Sequence, residues 1–377
     1  MELTSEDSLR LNVLLANKPQ AIRIDESSMT LFGLSEKGES KIILNPNCRD
    51  DLYLRKVREL LSGHVQGSPG GYPVYLKRWS RMGQTRGDNL EQLLLLGEPE
   101  AVVAFTCAKG ITDELARRAW WISQDPDNAR RMLVNPKIAD GSMGPQLARF
   151  LLDYLPFETE PMVIIESLRL ILQPGLISKE ERASLWKRCQ RKPTYYLGFL
   201  AALPDDLPAD SMPGSVTDDE KAALLPLSER GNPFAVQLLR IHSPPGQGFI
   251  STVLSVMERP ANQDVVTTLL EVVSEYLRSL RPTGNPDLTL EELQAEADDL
   301  CSDAFLACRD IAGQRESEMR TLYLLSGLGY GVVRPVLRNT DAIGSLMRKK
   351  LAPVFVPLKE LLVRFQSRAN WNSVNRP

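Results

Sequence analysis

The sequence predicts a mainly α-helical protein: an irregular helical-repeat body of the HEAT or TPR kind, or a helical bundle, with a small N-terminal α+β part containing a short antiparallel sheet. Three observations carry this. Beyond Gly87 apolar residues recur at helical spacing with little interruption. Prolines at 99, 126, 136, 145, 156, 161, 174, 193, 204 and 226 punctuate that pattern as short stacked helices would require. Only residues 21–44 show short, β-favouring, partly alternating runs.

Taken in order, Thr4 or Ser5 can cap a helix running through Asn17, with Leu9, Val13 and Ala16 at helical spacing and Pro19 beyond its end. Ala21–Asp25, Met29–Leu34 and Lys41–Leu44 read as a three-stranded antiparallel meander. Such a sheet cannot stand alone, so the helix expected over Asp51–Leu61 should cover its apolar face. Residues 62–73 hold four glycines and two prolines and read as a loop. Further on, Thr217 with Glu220, Ser178 with Glu181 and Thr289 with Glu292 each have the spacing of a capping box, in which hydroxyl and carboxylate satisfy two orphan amides reciprocally. Asp125-Pro126-Asp127 supplies an acidic N-cap and a proline at the first helical position. Leu293, Ala297, Leu300, Ala304, Cys308 and Ile311 predict one continuous amphipathic helix from Leu290. No motif of 30–50 residues repeats, so solenoid and bundle both stay open. The expected domains are 1–87, α+β with a Gly-rich loop, and 88–377, all-α, with a further division near 204–216.

Composition narrows the chemistry. With 45 Lys+Arg against 48 Asp+Glu, the net charge of −3 gives no global pull toward nucleic acid or anionic membrane. Two histidines, His64 and His242, leave little for multi-histidine metal sites, and no metal or cofactor is expected. The five cysteines are dispersed without any C-x-x-C, as reduced thiols would be. The longest apolar-leaning stretch, Leu322–Val333, is too short for a membrane span, and the acidic start is unlike a signal peptide, so a cytoplasmic location is expected. Charge is uneven near the C-terminus: seven acids against Arg309 in 288–310, then nine bases against Asp341 and Glu360 in 334–377. Internal pairing of solvated faces and a basic docking surface both account for it.

Residues 72–86 carry Tyr72, Tyr75, Lys77, Arg78, Trp79, Arg81 and Arg86 and no acid. Aromatics interleaved with cations suit a protein-docking surface, or stacking and phosphate contact with RNA; the plainer reading makes Tyr75 and Trp79 core anchors with a solvated cationic face. Cys107 beside Lys109 and Cys189 beside Arg188 are candidate reactive thiols if those cations lower a thiol pKa. Cys301 and Cys308 are seven apart on the expected helix, too distant to bridge each other, with Cys308 in the apolar seam. The glycine loop at 63–71 lacks the lysine of a phosphate-binding loop, and Gly327-Leu-Gly-Tyr-Gly331 lacks the strand and acidic residue of a dinucleotide site, so close packing explains it better. Neither histidine stands in a ligand or catalytic motif, and no active site is visible.

Six segments go further: Leu11-Asn-Val-Leu-Leu-Ala-Asn17, Gln20-Ala-Ile-Arg-Ile-Asp-Glu-Ser27, Gly67-Ser-Pro-Gly-Gly-Tyr-Pro-Val-Tyr75, Gly97-Glu-Pro-Glu-Ala-Val-Val103, Leu115-Ala-Arg-Arg-Ala-Trp-Trp121 and Asn128-Ala-Arg-Arg-Met-Leu133. They resemble the DsrS family, soluble proteins encoded with the reverse-acting dissimilatory sulfite reductase system of sulfur-oxidising bacteria. The resemblance runs from the N-terminus through Pro208. It implies a cytoplasmic accessory or regulatory protein of sulfur oxidation, acting by protein–protein interaction on that machinery, with no assigned reaction and no active-site residues to carry over. Two alternatives come from the residues themselves: an RNA-binding regulator using 72–86, and a thiol or persulfide carrier using a cysteine.

Overall fold

The computed structural model describes residues 2–66, 90–108, 110–209, 213–338 and 342–366. It is mainly helical, with one small antiparallel sheet near the N-terminus. The chain forms two compact units, the first Met1–Pro156 with Pro174–Leu176, the second Phe157–Gln173 with Ile177–Pro377. The boundary read at 87/88 falls inside the first unit and the one near 204–216 inside the second.

In the first unit, α1 (Ser5–Ala16) precedes β1 (Ala21–Asp25), β2 (Thr30–Ser35) and β3 (Gly38–Ile43), a meander in the order β1-β2-β3, and then α2 (Asp50–Gln66). Leu11, Leu14 and Leu15 of α1, Ile22 and Leu31 of the sheet, and Tyr53, Leu54, Val57 and Leu61 of α2 form one apolar cluster, so both helices cover the sheet. The buried face of α1 is not the expected one. Leu9 and Val13 are exposed, whereas Leu11, Leu14 and Leu15 turn inward with Asp7, whose wholly buried carboxylate accepts from Tyr53 Oη at 2.5 Å and Asn45 N at 2.7 Å. Helix α2 also runs five residues into the expected loop; Gly63 meets nothing there, and its modest helix penalty is outweighed by the burial of Leu61 and Ser62.

Among the described residues this unit continues with α3 (Leu90–Leu93), α4 (Pro99–Thr106), α5 (Asp113–Ile122), α6 (Pro126–Leu133), α7 (Pro136–Ala139) and α8 (Met143–Tyr154). Asp125 caps α6 through Asp127 N and Asn128 N, with Pro126 at the first position. The start of α8 is capped from elsewhere. Ser142, its N-cap residue, makes no capping bond, and the Asp113 carboxylate instead accepts from Ser142 N at 3.1 Å, Ser142 Oγ at 2.5 Å and Met143 N at 2.9 Å.

The second unit contains α9 (Pro161–Ile171), α10 (Lys179–Cys189), α11 (Thr194–Ala202), α12 (Asp218–Glu229), α13 (Pro233–Ile241), α14 (Pro244–Glu258) and α15 (Gln263–Tyr276), then α16 (Leu290–Asp298), α17 (Asp303–Ile311), α18 (Glu316–Leu325), α19 (Tyr330–Leu337) and α20 (Gly344–Val363). Apart from α10, their apolar faces contribute to one continuous core. The capping boxes of α10, α12 and α16 all form as the sequence predicts. Two expectations need correction. The single helix from Leu290 is two, because Ser302 caps α17 through Phe305 N and Arg320 Nη1 takes the carbonyls of Ala297 and Asp298, both at 2.7 Å, ending α16. Cys301 therefore sits exposed between the helices, and Ile311, expected in the seam, is 45% exposed. Nor is every proline a boundary. Pro226, Pro335, Pro353 and Pro357 lie inside helices, each forgoing a backbone hydrogen bond while neighbours such as Leu224, Leu337 and Val354 are buried.

Asp113→Ala should remove both bonds to the first amides of α8 and lower the stability of the first unit by about 1–2 kcal/mol in urea unfolding. Loss no greater than that of an exposed control such as Asp153→Ala would show that the cap is not formed.

Candidate functional site: a groove of mixed charge in the second unit

One face of α9, at the helical spacing Met162, Ile165, Glu166 and Arg169, forms a wall of a groove of about 1340 Å³. Residues 268–276 of α15 contribute Thr268, Glu271, Val272, Ser274, Glu275 and Tyr276; Arg240 comes from α13, and loops 281–286 and 326–329 with Tyr330 of α19 close the outline. Glu166, Arg169, Glu271, Glu275 and Arg278 are exposed along it, and Arg278 pairs with Glu275 at 2.7 Å.

Two further arginines are held rigidly. The Arg240 guanidinium lies 3.7 Å from the Tyr276 ring centre, its Nε and Nη2 grip the two oxygens of Asp205 at 2.9 and 2.6 Å, and Nη1 donates to Tyr276 O at 2.7 Å. Phe249 stacks on the same tyrosine with ring centres 3.9 Å apart. Burial raises the Tyr276 hydroxyl well above its ordinary pKa, so it stays a neutral donor to Asp205. Arg281 repeats the theme: its guanidinium lies 4.3 Å from the Tyr323 ring centre and Nη1 pairs with Glu296. Its Nε and Nη2, however, are sealed from solvent and have no acceptor among the described residues. Leaving such donors unpaired costs about 1–3 kcal/mol per group.

A second constellation lies away from the groove lining. His242 is buried at the C-terminal cap of α13, with Nδ1 2.5 Å from Ser215 Oγ and Nε2 2.6 Å from Glu318 Oε2. These are the components of a nucleophile, base and orienting carboxylate, with the ring nitrogens exchanged relative to the usual serine triad. None of the three lines the groove. Ser215 N also donates to His242 O at 3.0 Å, Arg315 donates to both Glu318 oxygens, at 3.1 and 2.9 Å, and Arg315 reaches Glu220 at 2.9 Å. The cluster thereby ties the start of α12, the end of α13 and the start of α18, and it reads as a clamp. Arg315 holds the Glu220 carboxyl down at about 2. Burial works against ionisation of Glu318, yet His242 and Arg315 outweigh it and keep that pKa below its ordinary value.

Of the residues singled out in the sequence, Tyr72, Tyr75, Lys77, Arg78, Trp79, Arg81 and Arg86 lie outside the described residues. Cys107 is exposed just after α4. Cys189 is wholly buried, its Sγ donates to Leu185 O, and burial pushes its thiol up to about 12; the cationic neighbour expected to activate it does not offset that. Cys308 is likewise buried and raised to about 11. His64 is exposed near the C-terminus of α2. The Gly327–Gly331 run does serve close packing: a Cβ on Gly331 would lie 2.2 Å from the Asp287 backbone carbon, and one on Gly327 would lie 2.4 Å from Leu293. Sequence reasoning missed the groove arginines because their partners are far away in the chain; the pairing of Arg240 with Asp205, 35 residues earlier in an expected linker, leaves no signal in the sequence.

No family model matches the chain, and no curated protein or solved structure matches it either. Among the described residues no helix is long and apolar enough to cross a membrane, and no group of three or more His, Cys, Asp or Glu could hold a metal ion.

Two outcomes test this description. Because the folded pKa of Glu220 is depressed from 4.5 to about 2, its stabilisation is complete above pH 4.5 and is lost as pH falls toward 2. Glu220→Gln should therefore cost about 1–3 kcal/mol near pH 6, with the gap from the parent protein closing on acidification; a gap independent of pH would contradict the pairing. In native protein a maleimide should modify Cys107 and Cys301 at least about 100-fold faster than Cys189 and Cys308, read by peptide mass, with the difference vanishing in denaturant.

Proposed function

We propose that this chain is a non-enzymatic, cytoplasmic accessory protein of bacterial sulfur oxidation, as the resemblance to the DsrS family implies, and that it acts by docking a protein partner in the groove of the second unit. The observation that carries the docking reading is the groove's construction. Its volume, about 1340 Å³, exceeds the usual range of small-molecule pockets. Its exposed residues carry both charges and the half-exposed Tyr330, while its interior holds Tyr276 and two pinned arginines. An amphipathic interior inside a polar margin, with aromatic and arginine anchors, is the composition that protein interfaces favour.

The tagged chain, used as bait in a lysate of sulfur-oxidising cells, should recover sulfite-reductase-associated proteins, and Arg169→Glu with Tyr330→Ala should reduce that recovery about tenfold or more. Recovery no better than an unrelated bait would overturn the accessory role. Recovery undiminished by the double substitution would overturn the groove as its surface.

A further inference from the structure

The two tyrosine-stacked arginines of the groove form an internal comparison. In each, an aromatic ring fixes the guanidinium plane, at 3.7 Å for Arg240 and 4.3 Å for Arg281, and Nη1 is engaged within the protein. The remaining edge, Nε with Nη2, presents two parallel N–H groups whose spacing matches two oxygens of one oxyanion. In Arg240 that edge is filled by the carboxylate of Asp205. In Arg281 the same edge is buried and empty of acceptors, on a side chain only 8% exposed. Among the described arginines it is the one whose whole Nε–Nη2 edge is in this state.

We propose that Arg281 is the anchor of an oxyanion site in the groove, its Nε and Nη2 receiving two oxygens of a carboxylate or phosphoryl group as Arg240 receives Asp205. The surroundings suit a site that is covered when empty. Loop 282–286, exposed throughout, lies against the arginine stem: a Cβ on Gly284 would sit 2.9 Å from Arg281 Cδ. On the other side Gly327 approaches the guanidinium so closely that a Cβ there would lie 3.2 Å from Nε. Entry of an anion requires loop 282–286 to shift. The exposed Arg169, without an ion-pair partner among the described residues, adds positive charge to the same groove. The proposal deepens the docking reading by naming what an occupant would present, but its test uses small anions and is independent of any partner.

The Nε–H resonance of Arg281, assigned in ¹⁵N-labelled full-length protein by its loss in Arg281→Lys, should move saturably on titration with inorganic phosphate or sodium acetate at constant ionic strength, and not with chloride. Response to both salts assigns a general oxyanion site, and response to one alone assigns a phosphoryl or a carboxylate group. Arg281→Lys, which keeps the charge but loses the fork, should weaken binding about tenfold or more by calorimetry. Because that variant also loses the Glu296 pair, Glu296→Gln is measured beside it, and it should bind at least as tightly as the parent protein. A resonance unmoved by both salts, or moved equally by chloride, overturns the proposal, whether or not a protein partner is recovered with the bait.

Discussion

The burial of the Tyr276 phenol is the constraint on which the second unit's packing and its groove both depend. A phenol removed from water needs a partner for its hydroxyl and apolar or cationic contact for its ring. Phe249 stacks on the ring, the Arg240 guanidinium lies over it, and the Tyr276 carbonyl accepts from Arg240 Nη1 and from Gln237 Nε2 at 3.3 Å. Three helices and the turn carrying Asp205 are thereby fixed around one side chain. Arg240 has no rotamer freedom left, so a binding contact made along this wall meets a surface already ordered.

Much of the secondary structure is written in short-range chemistry. Ser178, Thr217 and Thr289 cap helices through a glutamate three residues on, and Asp125 does so with a proline beside it, so all four starts are legible without a structure. The meander is legible for the same reason, since its strands are joined by tight turns and pair with sequence neighbours. What escapes is any choice made by tertiary contact. Helix α1 has apolar residues on more than one face, and the inward set was decided by Asp7, which follows Tyr53 into the core. The apolar repeat from Leu290 is real, but Arg320, more than twenty residues on, takes the carbonyls that would have continued the helix.

The functional geometry is long-range almost throughout. Asp205 meets Arg240 across 35 residues, and Glu318 meets His242 across 76. His242 illustrates the difficulty: its neighbours in sequence carry no motif, yet Ser215, Glu318 and Arg315 converge on it. Burying that many charges is tolerable only because each finds a partner, and removal of one member would strand the rest. Cys189 shows the opposite failure, a thiol beside a cation in sequence that faces an apolar interior in space.

Beside the filled fork of Arg240 the empty Nε–Nη2 edge of Arg281 stands apart, and the acids around it define what could fill it. Glu166, Glu271 and Glu275 line the same groove and are exposed. A continuous polyanion laid along the groove would meet their repulsion at several points, whereas a single oxyanion beside a cationic or neutral stretch would meet Arg281 and Arg169 while placing positive charge near the glutamates. The groove's charge pattern therefore favours a mixed-charge peptide over a nucleic-acid backbone, in keeping with a chain whose net charge is −3. An RNA role would have to rest on residues 72–86 or on the basic stretch 334–377, because the groove itself sets glutamates among its arginines along any path a phosphate chain would follow.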